Sequence, residues 1–184
     1  MQQKIQLRKK YLNLRKNKYF DIDKSFFLPL IKLIRLKFKK KIIKIALYHP
    51  SNFELDVLKI LEYKNLSNQN ILLPVTDKNN FMSFFSWKKN DVLNVSEFGI
   101  LEPLKSKSKI PDLMLVPILA FDKNKYRLGY GKGFYDRYLN KYLEQFNKNI
   151  FTVGVAFSFQ RHHNLPVSRN DIKLDYIITE KGIF

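Results

Sequence analysis

Three glycines at every second position, Gly129, Gly131 and Gly133, stand among Arg127, Lys132, Asp136 and Arg137 in the stretch Pro117 to Leu139, PILAFDKNKYRLGYGKGFYDRYL. Glycine admits backbone conformations that a side chain would forbid, and it lets amide N–H groups come close to an anion. Arg127 and Lys132 add cations for phosphate, and Asp136 offers a carboxylate to a hard metal ion. Downstream, Phe134, Tyr135, Tyr138, Leu139, Tyr142 and Leu143 recur at helical spacing over residues 132–146. A glycine-rich turn feeding a helix N-terminus would add the helix dipole to the same anion site. The spacing is neither G-x-x-x-x-G-K-[ST] nor G-x-G-x-x-G. Spacing alone leaves open a flexible glycine turn between two elements. The density of cations, carboxylate and glycines within eleven residues is what favours phosphate chemistry.

The elements that must position these groups can be read from periodicity. Residues 2–20 predict a basic amphipathic helix, with Ile5, Leu7, Leu12 and Leu14 set among Lys4, Arg8, Lys9, Lys10 and Arg15. Lys4 and Arg8 are four apart and share a face, which suits a solvated helix or a nucleic-acid-binding arm equally well. Asp21 to Lys40 predicts a second helix with Phe26, Phe27, Leu30, Ile31, Ile34 and Phe38 inward and a kink or break at Pro29. Buried strands are expected over Lys41 to Pro50, Ile71 to Val75, Asp112 to Pro117, Phe151 to Phe157 and Tyr176 to Thr179, with a β-prone aromatic run at Phe81 to Trp87. His49 and Glu54 follow the first strand at its C-terminal end, where open α/β sheets gather ligands. Glu54 could equally favour the N-terminus of a helix over residues 54–63. Adjacent His162 and His163 point apart on a strand and about 100° apart on a helix, which argues against a shared metal. Strands alternating with helices predict an α/β fold, a mostly parallel open sheet with helices on both faces.

With 184 residues and neither repeats nor a domain-sized linker, one domain spanning 1–184 is expected. Hydrophobic residues at 45% and charged residues at 27% are globular values. Cysteine is absent, which removes disulfide and thiol chemistry and fits a reducing cytosol. No apolar run approaches the length of a membrane span, and no signal-peptide core is present at the start, so a soluble cytoplasmic chain is expected. The net charge of +18, from 34 basic and 16 acidic residues, favours polyanionic partners. It supports an alternative reading as a basic nucleic-acid-binding module, although no RNP, KH, zinc-finger or helix-turn-helix pattern accompanies it.

The stretch Pro117 to Leu139 resembles the pattern P-x-x-x-F-D-x-x-x-x-R-L-G-x-G-K-G-Y-Y-D-R-x-L of the 5-formyltetrahydrofolate cyclo-ligase family, departing at Phe134, where the family usually has Tyr. Other blocks match in the family's order: Lys4 and Arg8 as K-x-x-x-R, Met82 to Trp87 as M-x-F-x-x-[WYF], Phe98 to Pro103 as F-G-I-x-E-P, and Asn170 to Asp175 as H-D-x-x-[LV]-D. Asp56 stands where the family often has Thr. The resemblance implies a Rossmann-like three-layer α/β enzyme of one-carbon metabolism, a ligase that forms a C–N bond. It would convert 5-formyltetrahydrofolate, with or without a polyglutamate tail, to 5,10-methenyltetrahydrofolate at the expense of ATP with Mg²⁺, acting as a monomer without nucleic acid or membrane. By the same resemblance Arg127 and Lys132 are catalytic. Lys4, Arg8, Arg127, Gly129, Gly131, Lys132, Gly133, Phe134 and Tyr135 bind ATP. His49, Glu54, Trp87, Tyr130, Gly131 and Phe134 bind the folate, and Asp136 and Asp175 hold the metal.

Overall fold

The leucine- and isoleucine-rich runs pair into one seven-stranded sheet. The computed structural model describes residues 2–39, 41–66 and 69–184. Its strands are β1 (Lys44–Ala46), β2 (Asn70–Thr76), β3 (Met82–Ser86), β4 (Leu93–Val95), β5 (Leu101–Pro103), β6 (Leu113–Pro117), β7 (Ala120–Phe121), β8 (Arg127–Leu128), β9 (Phe151–Val155), β10 (Tyr176–Thr179) and β11 (Gly182–Ile183). The main sheet runs β11-β10-β9-β6-β1-β2-β3, while β4-β5 and β7-β8 form separate two-stranded ribbons. Neighbours from β2 to β10 are parallel, and only the edge strands β3 and β11 are antiparallel. Taken in chain order, the five parallel strands lie second, first, third, fourth, fifth across the sheet. The winding therefore reverses between β1 and β6, and the crevice beyond their carboxyl ends is where such sheets take ligands.

Side chains alternate between the faces with the strand period of two. Ile45, Leu73, Leu113, Leu115 and Val153 pack on one side with Leu30, Ile31 and Ile34 of helix α2 (Leu28–Phe38). Ala46, Leu72, Met114, Val116 and Ile177 pack on the other with Tyr138 and Leu139 of α3 (Phe134–Leu139). The α/β architecture with helices on both faces is the one the sequence predicts. Helix α1 (Gln2–Lys18) packs elsewhere, through Tyr11 against Leu119, Ala120, Leu128 and Leu165, over the β7-β8 ribbon. No helix among the described residues is long and apolar enough to cross a membrane.

Several boundaries move. Pro29 does not kink a long second helix; it sits in the first turn of α2, where its missing N–H costs nothing, and residues Lys24–Phe27 before it form a separate 3₁₀ turn. Lys40, the expected end of that helix, lies outside the described residues. Only Lys44–Ala46 of the expected strand from Lys41 to Pro50 joins the ladder. The helix expected over residues 54–63 is a 3₁₀ segment, Val57–Glu62, and its capping oxygen comes from Asp56, whose Oδ1 accepts from the Leu58 N–H at 3.0 Å. Glu54 is thereby released from a capping role. After α3 the chain continues as a π-helical turn, Asn140–Gln145.

Candidate active site

The switch point is built out by the β7-β8 ribbon. Asp122 closes its turn, its Oδ1 accepting from the N–H groups of Asn124 and Tyr126 at 2.9 and 3.1 Å. The chain leaves β8 as Gly129-Tyr130-Gly131-Lys132-Gly133 and enters α3. Gly131 has φ +108° and Gly133 φ +69°, conformations that L side chains rarely adopt. The loop is braced from two directions. Arg8 of α1 donates from Nε to the Gly129 carbonyl at 2.9 Å, and Arg137 of α3 donates to the carbonyls of Lys132 and Asn80 at 2.6 and 2.8 Å.

Cations and carboxylates meet over this loop. Lys4 pairs with Asp171 Oδ2 at 2.5 Å. Burial pushes the Asp171 carboxyl up, but the Lys4 ammonium and the Ser168 N–H outweigh it and hold it below its usual value. Arg127, with a side chain 4% exposed, brings Nη2 to 3.0 Å from Asp136 Oδ1. That contact lacks hydrogen-bond alignment, and Nε also has no partner. A buried guanidinium with spare donors is costly unless something anionic uses them. Lys132 lies over the Phe98 ring at 5.4 Å, and Phe134 meets the same ring edge-on at 5.7 Å.

The opposite wall comes from the exit of β1. Glu54 is 7% exposed. Its Oε2 accepts from the Ser51 N–H at 2.9 Å and from the Ser51 hydroxyl at 3.3 Å, and its Oε1 accepts from the Tyr130 hydroxyl at 2.8 Å. Burial raises its carboxyl above the usual range, against the lowering effect of Arg15 and these bonds. Burial and the Glu54 charge likewise raise the Tyr130 and Tyr135 hydroxyls.

Both walls enclose one cavity of about 620 Å³, within the range of small-molecule sites. It brings together Lys4, Arg8, His49, Glu54, Arg127, Lys132, Phe134, Tyr135, Asp136 and the stretch from Gly129 to Gly133. Phe98, Gly99, Ile100 and Glu102, from the F-G-I-x-E-P block, line it too. Two expected site residues are elsewhere. Trp87 is a core residue, packed with Ile71, Leu73 and Ile60 and away from the cavity lining. Asp175 is tied to β9, its Oδ2 accepting from the Thr152 N–H at 2.7 Å and hydroxyl at 2.9 Å, and it is also away from the lining. The second carboxylate beside Asp136 is instead Asp171, on the same loop four residues earlier. Sequence reasoning also passed over Arg15, although its position, seven beyond Arg8, marks the same helical face. Among the described residues no group of three or more His, Cys, Asp or Glu side chains is arranged to hold a metal. Two carboxylates, each beside a phosphate-type cation, do fit Mg²⁺, which keeps waters and substrate phosphates as its remaining ligands.

Residues 1–180 match the model of the 5-formyltetrahydrofolate cyclo-ligase family. The chain is 31% identical over 175 residues to the 5-formyltetrahydrofolate cyclo-ligase of Mycoplasma genitalium, covering 92% of this chain and 94% of that protein. It is 33% identical over 137 residues to that of Haemophilus influenzae, covering 71% and 72%. Among solved structures, Aquifex aeolicus 5,10-methenyltetrahydrofolate synthetase superposes with a TM-score of 0.76 at 35% identity, over 98% of this chain and 91% of that one. The Mycoplasma pneumoniae 5,10-methenyltetrahydrofolate synthetase gives 0.70 at 28% identity, over 96% and 98%.

Proposed function

The chain belongs to the 5-formyltetrahydrofolate cyclo-ligase family, and we propose that its cavity closes 5-formyltetrahydrofolate to 5,10-methenyltetrahydrofolate with ATP as the phosphoryl donor. The observation that carries this reading is one cavity lined by two chemically distinct sets of groups. One is the glycine loop with Lys4, Arg8, Arg127 and Lys132; the other is the buried Glu54 with His49, which Tyr130 of the loop joins to the first through its hydroxyl.

The formyl oxygen is a poor leaving group. Transfer of the γ-phosphoryl to that oxygen yields ADP and an O-phosphorylated formyl group, whose carbon now carries a phosphate leaving group. Attack by the nitrogen at position 10 then forms the new C–N bond, with phosphate leaving and the nitrogen proton lost. Such a transfer needs positioning and charge neutralisation more than a protein nucleophile. Arg127 offers unpartnered buried donors, Lys132 a loop cation, and Lys4 and Arg8 a pair on one helical face. Asp136 and Asp171 would hold Mg²⁺, which supplies neutralisation of the phosphate charge. Glu54, accepting on both oxygens from protein donors, keeps lone pairs for the amino group and ring N–H of a pterin, and Phe98 and Phe134 present apolar ring surface beside it. We extend the proposal to a monomeric cytoplasmic enzyme that takes the folate with or without a polyglutamate tail, which the net charge of +18 favours.

The test is direct. The chain is incubated with 5-formyltetrahydrofolate, ATP and Mg²⁺ while the absorbance of the methenyl product is followed. Product formation that requires the nucleotide is expected, and no product in the complete mixture would refute the reading.

A further inference from the structure

Arg15 is the most deeply buried charged residue among the described residues, 1% exposed on the inner face of α1. No step of the proposed reaction uses it. Burial of a guanidinium is unfavourable unless its donors are satisfied and its charge is answered, so its partners say what it is there for. Nη1 donates to the Ile118 carbonyl, just past β6, at 3.2 Å. Nη2 donates to the Tyr130 hydroxyl oxygen, and the guanidinium lies 5.5 Å from the centre of the Tyr130 ring. Nε has no partner. Tyr130 in turn donates to Glu54 Oε1 at 2.8 Å.

The order of donors in this chain is fixed by chemistry. A guanidinium has only donors and does not lose its proton. By occupying an acceptor position on the Tyr130 oxygen, Arg15 leaves the hydroxyl proton to point at Glu54. Three segments far apart in sequence, at residues 15, 54 and 130, thus meet in one relay that ends on the carboxylate wall of the cavity. Resting on the reading of Glu54 as the folate-binding carboxylate, we infer that Arg15 is a positioning residue that keeps Glu54 ionised and oriented for the folate, acting through Tyr130. The residue never reaches the cavity lining itself. The direction of the electrostatics agrees, since burial raises the Glu54 carboxyl and Arg15 is the leading effect that opposes it.

The groups facing Glu54 are Arg15 from α1, Tyr48 and Ser51 from the β1 exit, Tyr130 from the glycine segment and Tyr135 from α3. His49 lines the same cavity. All but Arg15 are retained in an Arg15 variant, so the difference between its pH profile and that of the wild type isolates the guanidinium. Removing Arg15 lets the Glu54 carboxyl rise further. Folate affinity, which needs the ionised form, should then fail at a higher pH as the solution is acidified. On the acid side each unit of displacement costs about tenfold in affinity.

The experiment is calorimetric titration of 5-formyltetrahydrofolate across a pH series into wild type, Arg15→Gln, Arg15→Lys and Glu54→Gln, with ATP titrations and melting curves alongside. The expected result is a folate profile displaced to higher pH in Arg15→Gln, restored by alkaline solution, partly rescued in Arg15→Lys, with ATP affinity unchanged. A wild-type profile in Arg15→Gln beside weakened folate binding in Glu54→Gln overturns the Arg15 role and leaves the Glu54 reading standing. Wild-type folate affinity in Glu54→Gln overturns the reading beneath both. If the melting curve shows that Arg15→Gln does not fold, Tyr130→Phe takes its place. That variant cuts the relay and keeps the guanidinium, so its profile should move in the same direction by less. An unmoved inflection in Tyr130→Phe overturns the inference.

Discussion

Gly131→Ala tests the glycine loop at the point where backbone and site meet. At φ +108° an alanine is strained whatever space surrounds it, which costs on the order of 1–3 kcal/mol. For a chain of this size each kcal/mol lowers the melting temperature by roughly 2–4 °C, so a fall of roughly 2–12 °C is expected. The added methyl would also lie 3.1 Å from Arg8 Cζ, inside the roughly 3.5–4.0 Å at which carbons pack favourably. Arg8 would have to yield, loosening its 2.9 Å bond to the Gly129 carbonyl and its aim at the phosphates. Loss of one hydrogen bond to a charged group is worth about 1.5–3 kcal/mol, on the order of tenfold to a hundredfold in kcat/KM for ATP. Gly182→Ala is the control. Its φ is +120° with nothing within 4 Å of the added carbon, in the β10-β11 hairpin outside the cavity lining. It should lose comparable stability and keep wild-type kinetics. Thermal melting and steady-state kinetics with each substrate varied in turn separate the two effects. If both variants melt alike and neither changes kcat/KM for ATP, the Arg8 contact has no role in nucleotide binding. If Gly131→Ala melts like the wild type, the loop conformation itself is wrong.

Arg127→Ala and Lys132→Ala should each cost on the order of 2–4 kcal/mol of transition-state stabilisation, and unchanged kcat/KM for ATP in Lys132→Ala would contradict its role. Asp136→Asn and Asp171→Asn should both raise the Mg²⁺ concentration needed for turnover. Asp175→Ala should instead lower stability by about 1–3 kcal/mol, through the Thr152 donors left unpaired, with wild-type Mg²⁺ dependence. The reverse pattern would return the metal to Asp175. Glu54→Gln should weaken folate binding and spare ATP affinity. The folded carboxyl of Glu54 is raised, by burial above all, so its favourable contribution to stability is full below the ordinary carboxylate value and is lost as pH rises through the folded one. The variant should therefore melt at or above the wild type in neutral and alkaline solution, and a lowered melting point with unchanged folate affinity would sink the assignment.

What the sequence disclosed follows the reach of its periodicities. Lys4 and Arg8 were legible because four residues on a helix return to one face, and by the same rule positions 11 and 15 continue that stripe to the buried Tyr11 and Arg15. Arg15 was passed over because a basic residue in a basic helix reads as solvated until its partner is known, and Tyr130 is 115 residues away. Strand parity likewise held the answer for Trp87. Met82 lines the cavity, and residues an odd number apart on a strand face opposite ways. Trp87, five residues on and one past β3, keeps the pairing by donating its N–H to the Ile71 carbonyl at 3.0 Å, and so turns into the core on the other face. Asp171 and Asp175 had no such rule to separate them, since the loop between them carries no period. Asp175 is held by Thr152 on a neighbouring strand and Asp171 by Lys4 on the first helix. Which carboxylate meets the cavity is decided by those two long-range partners, and a local pattern cannot contain them.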